Sequence, residues 1–139
     1  MGGPLWAAAE YIHTSAAADS VGNPKFAGAY LQVGWFLTGE SRPYATDGGI
    51  FGRVLPRDKY RGGNPFKKKN GGAWELAGRL SYVDLNDGLV EGGELNDFSV
   101  ALNWYVNAAA RVSLNYVHAK PKDRGSANIF LLRVQYNPW

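Results

Sequence analysis

The strongest constraint on the fold is a long alternation of apolar with polar or small residues at a period of two. Six segments of about 10 to 13 residues show this pattern: Leu5–Thr14, Phe26–Thr38, Ala73–Leu85, Asn96–Val106, Ala109–His118 and Asn128–Tyr136. Successive side chains of a β-strand point to opposite faces, so the pattern predicts strands. A strand that crosses a bilayer needs about 9–11 residues, whereas strands of soluble domains usually have about 5–6. The lengths favour an all-β fold of antiparallel transmembrane β-barrel strands.

Each segment separates into an apolar face and a polar face. In Phe26–Thr38, Leu31, Val33 and Trp35 share one face, while Tyr30 and Gln32 share the other. A barrel with lipid outside and a wet lumen inside requires this alternation. A soluble β-sandwich with one solvated face would alternate as well, so alternation alone leaves both folds open.

The aromatic residues distinguish these folds better. We assume that the last strand runs toward the periplasm and that neighbouring strands are antiparallel. The apolar face then carries aromatics at both rims, with Trp35, Trp74 and Trp104 at the periplasmic rim and Tyr82, Phe98, Tyr116 and Phe130 at the opposite one. Two aromatic belts around an aliphatic band are what the two interfaces of a bilayer favour. We interpret these seven residues as membrane-interface aromatics.

The connections differ in length in the way expected of a barrel. Asn107–Ala108 reads as a tight periplasmic turn, and Asn86–Leu95 and Ala119–Ala127 read as longer extracellular loops. The acidic stretch Asp84–Asp97 is interpreted as a solvated loop, with a divalent ion bridging it to lipopolysaccharide as the alternative. Gly39–Gly72 is the exception, because segments this long without secondary structure are usually functional or disordered.

Positive charge is concentrated in Gly39–Gly72. This segment has eight basic and three acidic residues, a net charge of +5, whereas the rest of the chain has seven basic and nine acidic residues. A basic segment folded into a pore would raise the local anion concentration. A solvated, charged turn is the alternative; it is favoured for Lys67–Lys69 and equally weighted for Arg53 and Arg57.

Three arginines fall on the polar face of the strands: Arg79, Arg111 and Arg133. An arginine facing lipid at the midplane costs about 2–4 kcal/mol, whereas one facing a wet lumen costs little and can bind anions. For Arg79 the alternative is an ion pair with Glu75 or Glu10. The candidate anion pathway therefore consists of Arg53, Arg57, Lys59, Arg61, Arg79, Arg111 and Arg133.

No pattern in the chain indicates an enzyme. His13 and His118 lie far apart at strand ends, cysteine is absent, and neither a nucleophile motif nor metal-ligand spacing occurs. We expect no catalytic residue, metal or cofactor, and no nucleic-acid partner.

The chain length and the strand count predict a fragment. The first residues, MGGPLWAAAEY, lack the basic and apolar regions of an export leader. Six strands are fewer than the eight of the smallest single-chain barrels, and open edges cannot lie in lipid. We expect residues 1–139 to be the C-terminal part of a larger barrel, with the long basic segment 39–72 between two strands.

Six stretches of the sequence resemble the phosphate-selective porin O and P family. In family order they are Ala29–Tyr44 (AYLQVGWFLTGESRPY), Phe51–Pro56 (FGRVLP), Gly72–Gly88 (GAWELAGRLSYVDLNDG), Leu102–Asn107 (LNWYVN), Arg111–His118 (RVSLNYVH) and Asn128–Gln135 (NIFLLRVQ). The resemblance covers essentially the whole chain. It implies a barrel of about sixteen strands, usually trimeric, in the outer membrane of a Gram-negative bacterium.

The same resemblance implies passive conduction of phosphate, polyphosphate or related anions, with some connecting segments folded inward to narrow the pore. The family's central phosphate site draws largely on upstream regions, so its residues are not assigned here. One departure is the end of the chain, where Trp139 follows a proline and has lumen-facing parity. A structural or plugged outer-membrane barrel, a soluble β-barrel binding protein, and a barrel assembled from identical chains are the alternatives.

Overall fold

The computed structural model describes residues 3–17, 22–45, 48–67, 71–122 and 124–138. The sequence-based expectations for Lys68, Lys69 and Trp139 fall outside these residues, as does Asp47, one of the three acids counted in the basic segment. The strands are β1 (Leu5–Ser15), β2 (Lys25–Phe36), β3 (Tyr44–Ala45), β4 (Ile50–Phe51), β5 (Ala73–Asp87), β6 (Val90–Tyr105), β7 (Ala110–Pro121) and β8 (Ala127–Tyr136).

The six long strands form one antiparallel sheet in the order β1-β2-β5-β6-β7-β8, and β3 pairs with β4 in a separate two-stranded sheet. The prediction of six antiparallel strands is confirmed. The large sheet is open, with β1 and β8 at its edges. Within the described ranges all regular structure is strand, and no helix there is long and apolar enough to cross a membrane.

The register sorts the side chains of the large sheet onto two faces. Glu75 lies opposite Asn103, and Leu76 lies opposite Leu102 on the other side of the sheet. We call the side with Glu75 the packed face and the side with Leu76 the apolar face. The end of the sheet where β6 turns into β7 is its lower end, and the β5–β6 hairpin marks its upper end.

The packed face holds the small core of the chain. Its buried hydrophobic residues come mostly from the lower end: Trp6, Phe36, Val54, Ala73, Ala77 and Tyr105. On the apolar face, by contrast, large side chains such as Leu80, Leu132 and Val134 are more than half exposed. The accessible surface of 9544 Å² exceeds the roughly 7100 Å² expected for a compact 15.2 kDa monomer. Most of the apolar face is thus uncovered within the described residues, unlike the packed inner faces of a β-sandwich.

The acidic stretch at the upper end is a hairpin, and the expected loop at Asn86–Leu95 is wrong. β5 continues to Asp87 and β6 begins at Val90, with a register shift between Asp84 and Asn86. Gly88, at a φ of 55°, occupies a conformation that glycine adopts without steric cost, so two residues suffice to reverse the chain. Polar sequence alone did not end these strands because their backbone pairing continues beyond the apolar band.

The tight turn predicted at Asn107–Ala108 is confirmed. The Asn107 side-chain oxygen accepts hydrogen bonds from the backbone N–H groups of Ala109 at 2.7 Å and Ala110 at 2.9 Å. Asparagine commonly closes turns in this way, because its side chain replaces a backbone acceptor.

Candidate functional site

The first half of the long segment folds onto the packed face near its lower end. The short β3–β4 pair presents Phe51 to Trp6 of β1, with ring centroids 5.1 Å apart. Val54 follows and is buried at 5% exposure in the same cluster as Phe36 and Tyr105. Apolar residues embedded among the charges of this segment thus anchor it to the sheet.

A buried carboxylate lies at the centre of this contact. Glu75 on β5 is fully buried and accepts hydrogen bonds from the indole N–H of Trp6 at 2.7 Å and the hydroxyl of Tyr105 at 2.8 Å. The Asn103 side-chain amide donates a third at 3.0 Å. Arg42, from the long segment, donates a fourth at 3.3 Å and forms an ion pair with the same carboxylate. A buried charge is tolerated when it is paired and hydrogen-bonded in this way.

Arg42 is held by more than its ion pair. Its guanidinium carbon lies 4.5 Å from the Trp6 ring centroid and 4.9 Å from that of Phe51, distances at which cation–π attraction acts. Its Nε is buried and has no hydrogen-bond partner among the described residues. The guanidinium therefore packs against both aromatic rings as well as the Glu75 carboxylate.

Two recesses on the packed face share Arg42 and Arg111 in their walls. The first, of about 230 Å³, is also lined by Arg53 and lies beside the β6–β7 turn. The second, of about 210 Å³, is also lined by Arg133, together with polar side chains that include Gln32 and Asn115. Four arginines from three separate parts of the sequence thus converge on adjoining recesses.

Two of the arginines in the recesses donate to neutral oxygen atoms. Arg111 donates to the side-chain oxygen of Gln135 at 2.8 Å, and Arg53 donates to the backbone carbonyl of Asn137 at 2.7 Å. Neither of these two contacts neutralises the positive charge. Glu75 compensates the charge of Arg42.

Arg79 lies further toward the upper end, on the same face. Its guanidinium carbon is 4.0 Å from the ring centroid of Tyr30, and it lines neither basic recess. Glu75, one of its two expected acidic partners, pairs with Arg42 instead.

The remaining predicted pathway residues, Arg57, Lys59 and Arg61, are exposed and line neither recess. They belong to residues 57–67, which we call the outer strap. The Tyr60 N–H donates to the carbonyl of Val106 at 2.9 Å, and its ring meets Trp104 edge-on at 5.1 Å. Tyr105 lies on the packed face, so Trp104, the preceding residue of the same strand, lies on the apolar face. The chain therefore passes from the packed face at Val54 to the apolar face at Tyr60.

The outer strap and the tryptophans of the apolar face form one aromatic stack. Trp74 and Trp104 lie opposite each other in the register, with ring centroids 5.5 Å apart, and Phe66 stacks on Trp74 at 4.8 Å. The indole N–H of Trp74 donates to the carbonyl of Pro65, and that of Trp104 to the carbonyl of Gly71. Trp35 lies on the same face near the lower end, opposite Leu76.

The four other aromatics chosen from the sequence lie toward the upper end of the apolar face. Phe98 is opposite Leu80 and His118, and Tyr116 is opposite Phe130, with ring centroids 5.0 Å apart. Tyr82 is opposite Asn96. All seven aromatics therefore lie on the apolar face, and their contact with membrane interfaces stays a prediction.

Sequence reasoning counted Arg42 only as part of a basic segment and treated Glu75 only as a possible partner of Arg79. Asn103 and Tyr105 alternate with apolar residues on β6, three strand steps from Trp6 on β1, and only the register brings them onto Glu75. The available signal was that Glu75 shares the parity of the polar face with Asn103 and Tyr105 on the next predicted strand. This signal could be interpreted only once the pairing of β5 with β6 was known.

Long antiparallel strands with one bare apolar face and one basic face fit the wall of a porin-type barrel. The chain belongs to the phosphate-selective porin O and P family, whose model matches residues 1–137. It is 34% identical to Porin O of Pseudomonas aeruginosa over 153 aligned positions, covering 96% of this chain and 32% of that protein.

An uncharacterized protein of Caulobacter vibrioides is 38% identical over 112 positions, covering 80% of this chain and 21% of that protein. The chain thus spans about a third of the length of one relative and about a fifth of the other.

Proposed function

We propose that this chain forms part of the wall of a Gram-negative outer-membrane porin that lets phosphate and related anions, including polyphosphate, diffuse passively. The observation that carries the proposal is the convergence of Arg42, Arg53, Arg111 and Arg133 on adjoining recesses of the packed face. On this proposal the packed face lines the lumen and the apolar face meets lipid.

The arginines would act by electrostatic attraction and by hydrogen bonding. Guanidinium groups present planar sets of donors that match phosphate oxygens, and they keep their charge at any physiological pH. Arg111 and Arg133 project from neighbouring strands, so the sheet fixes the spacing of their backbones. Arg79, over Tyr30, would extend the basic path toward the upper end.

Reversal potentials in planar bilayers test this pathway. In the assembled porin that contains this chain, Arg111→Gln with Arg133→Gln should lower the permeability ratio of anion to cation severalfold. The matched control is Lys59→Gln with Arg61→Gln, which also removes two charges but from the outer strap. Unchanged selectivity in the first variant would remove the recesses from the mechanism. An equal loss in the control would instead support the sequence-based expectation that Lys59 and Arg61 line the pathway.

A plugged structural barrel is the second candidate. It is favoured by the packing of residues around Phe51 and Val54 onto the face assigned to the lumen, which narrows that space. An ohmic single-channel conductance in the assembled protein would exclude it. A sixteen-stranded barrel and a homotrimer remain predictions from the family resemblance, and contact with lipopolysaccharide remains the alternative interpretation of the acidic stretch 84–97.

A further inference from the structure

We propose that the outer strap, together with Trp74 and Trp104, is a docking site for the headgroup of an anionic phospholipid in the periplasmic leaflet of the outer membrane. This proposal rests on the proposed membrane location of the chain. It does not depend on which ions the lumen passes.

The chain crosses from one face of the sheet to the other as it enters the outer strap. Between Val54 and Tyr60 the chain leaves the packed face and passes the β6–β7 turn, where Tyr60 binds the Val106 carbonyl. It then returns along the apolar face, where Pro65 and Gly71 accept the indole N–H groups. The strap therefore lies outside the sheet, at the level of the lower tryptophans.

The aromatic stack presents an apolar surface whose polar groups are already hydrogen-bonded. Trp74 and Trp104 stack at an interplanar angle of 13°, and Phe66 covers Trp74 at 21° while remaining 73% exposed. Because both indole N–H groups are already bonded to backbone carbonyls, acyl chains can cover the rings without leaving a donor unsatisfied. Phe66 thus provides an apolar surface beside charged neighbours, as interfacial segments do.

The residues around the aromatic stack are positively charged. Arg57, Lys59, Arg61 and Lys67 are exposed, and Asp58 is the acidic residue among them. The described strap thus has a net charge of +3, and Lys68 and Lys69 follow it in the sequence. Basic side chains next to interfacial aromatics complement a lipid that pairs a phosphate group with acyl chains.

A transported anion explains these charges less well. The exposed bases of the strap line neither basic recess, and Tyr60, between Lys59 and Arg61, contacts an aromatic ring of the apolar face. Inorganic phosphate would gain nothing from the aromatic stack beside them. A headgroup with attached acyl chains would use both features.

Native mass spectrometry of the assembled porin released from nanodiscs tests the proposal. The nanodiscs contain equal parts of phosphatidylglycerol and phosphatidylcholine, and the readout is the ratio of the two lipids retained. Each basic residue near an anionic surface contributes about fivefold in affinity, so Lys59→Gln, Arg61→Gln and Lys67→Gln together should reduce the preference for phosphatidylglycerol on the order of 100-fold. The swapped variant Lys59→Arg, Arg61→Lys and Lys67→Arg keeps the charge and should keep the preference.

Two further arms separate this site from the ion pathway. Arg111→Gln with Arg133→Gln should leave the lipid preference unchanged, even if the same variant fails to alter ion selectivity and so refutes the proposed function. Millimolar inorganic phosphate should not displace the bound lipid. Retention of the preference in the glutamine variant, its loss in the swapped variant, or displacement by phosphate would each overturn the lipid site.

Discussion

Replacing Glu75 with alanine should release the first half of the long segment from the packed face. The change removes the acceptor of three neutral donors, from Trp6, Asn103 and Tyr105, and the counter-charge of Arg42. Glu75 is fully buried and Arg42 is 20% exposed, so water compensates little of the loss.

The expected magnitude follows from the burial of this pair. Removing one partner of a buried ion pair costs about 3–5 kcal/mol, because the remaining charge is left uncompensated. Unsatisfied buried donors each cost about 1–3 kcal/mol, although these costs overlap and do not add. A loss of about 4 kcal/mol would raise the population of the undocked segment on the order of 1000-fold, since each 1.4 kcal/mol is a factor of ten.

Limited proteolysis measures this population directly. The bond between Arg53 and Val54 is protected in the docked state because Val54 is only 5% exposed, whereas Arg57 is exposed in both states. When opening and closing are fast, the initial rate of tryptic cleavage follows the population of the open form. Cleavage after Arg53 should therefore accelerate by up to three orders of magnitude in Glu75→Ala, while cleavage after Arg57 serves as the internal reference.

Two control variants sharpen the result. Glu75→Gln keeps the volume and one acceptor oxygen, so it should fall between the wild type and alanine. Glu91→Ala removes an exposed acid from the upper hairpin and should change nothing. If Glu75→Ala cleaves after Arg53 at the wild-type rate, the buried carboxylate does not hold the segment.

Two further changes probe the sheet itself in the assembled porin. Gly34→Ala would place a Cβ 2.3 Å from the Trp6 ring and should lower the free energy of unfolding in urea by about 1–3 kcal/mol. Gly78→Ala is the control, because its new Cβ would lie 3.9 Å from the nearest atom and should be tolerated. Equal stabilities of the two variants would contradict the close packing at Gly34. Leu114→Arg on the apolar face should lower the stability of the porin in lipid by about 2–4 kcal/mol. Asn115→Arg, at the next residue and facing the recess, should lower it little. Equal losses of stability would contradict the assignment of faces.

The sequence allowed the strands and their faces to be predicted because both are local properties. Period-two alternation needs no tertiary information, and the side chains of Leu76 and Glu75 point to opposite faces whatever the neighbouring strand is. The predicted strand ends were wrong at the upper hairpin, where the polarity of the side chains did not determine how far the strands extend. At the upper hairpin, backbone pairing extended β5 and β6 through an acidic stretch that polarity alone predicted to be a loop.

The contacts of the long segment could not be predicted because they depend on register and on chain reversal outside the strands. Arg42 reaches Glu75 across 33 positions, and Trp6 reaches the same carboxylate across 69. Nothing in the basic composition of the segment indicates that it divides near Val54, with one half on the packed face and the other on the apolar face. A glycine opposite Trp6 in the register, Gly34, creates the space for the indole, which is also a pairwise property.

The register offers a test of the aromatic belts that is independent of family membership. From Tyr82 through Phe98 to Tyr116 and Phe130, the upper aromatics shift four residues toward the lower end over three strand steps. At about 3.3 Å per residue and 4.8 Å between strands, this shift corresponds to a line inclined about 43° to the strand perpendicular.

The lower tryptophans shift in the same direction. From Trp35 to Trp74 and Trp104 the shift is two residues over two steps, which corresponds to about 35° by the same spacings. Strands of membrane barrels tilt by about 35–45°, so a plane of constant depth crosses the sheet along such a line. On β5 the two belts are eight residues apart, roughly 26 Å along the strand, which a tilt of about 40° projects to roughly 20 Å of depth, against about 25 Å expected for the apolar band. Aromatics sorted by chance would have no reason to follow two lines inclined in the same direction, so the register supports a membrane position for the apolar face.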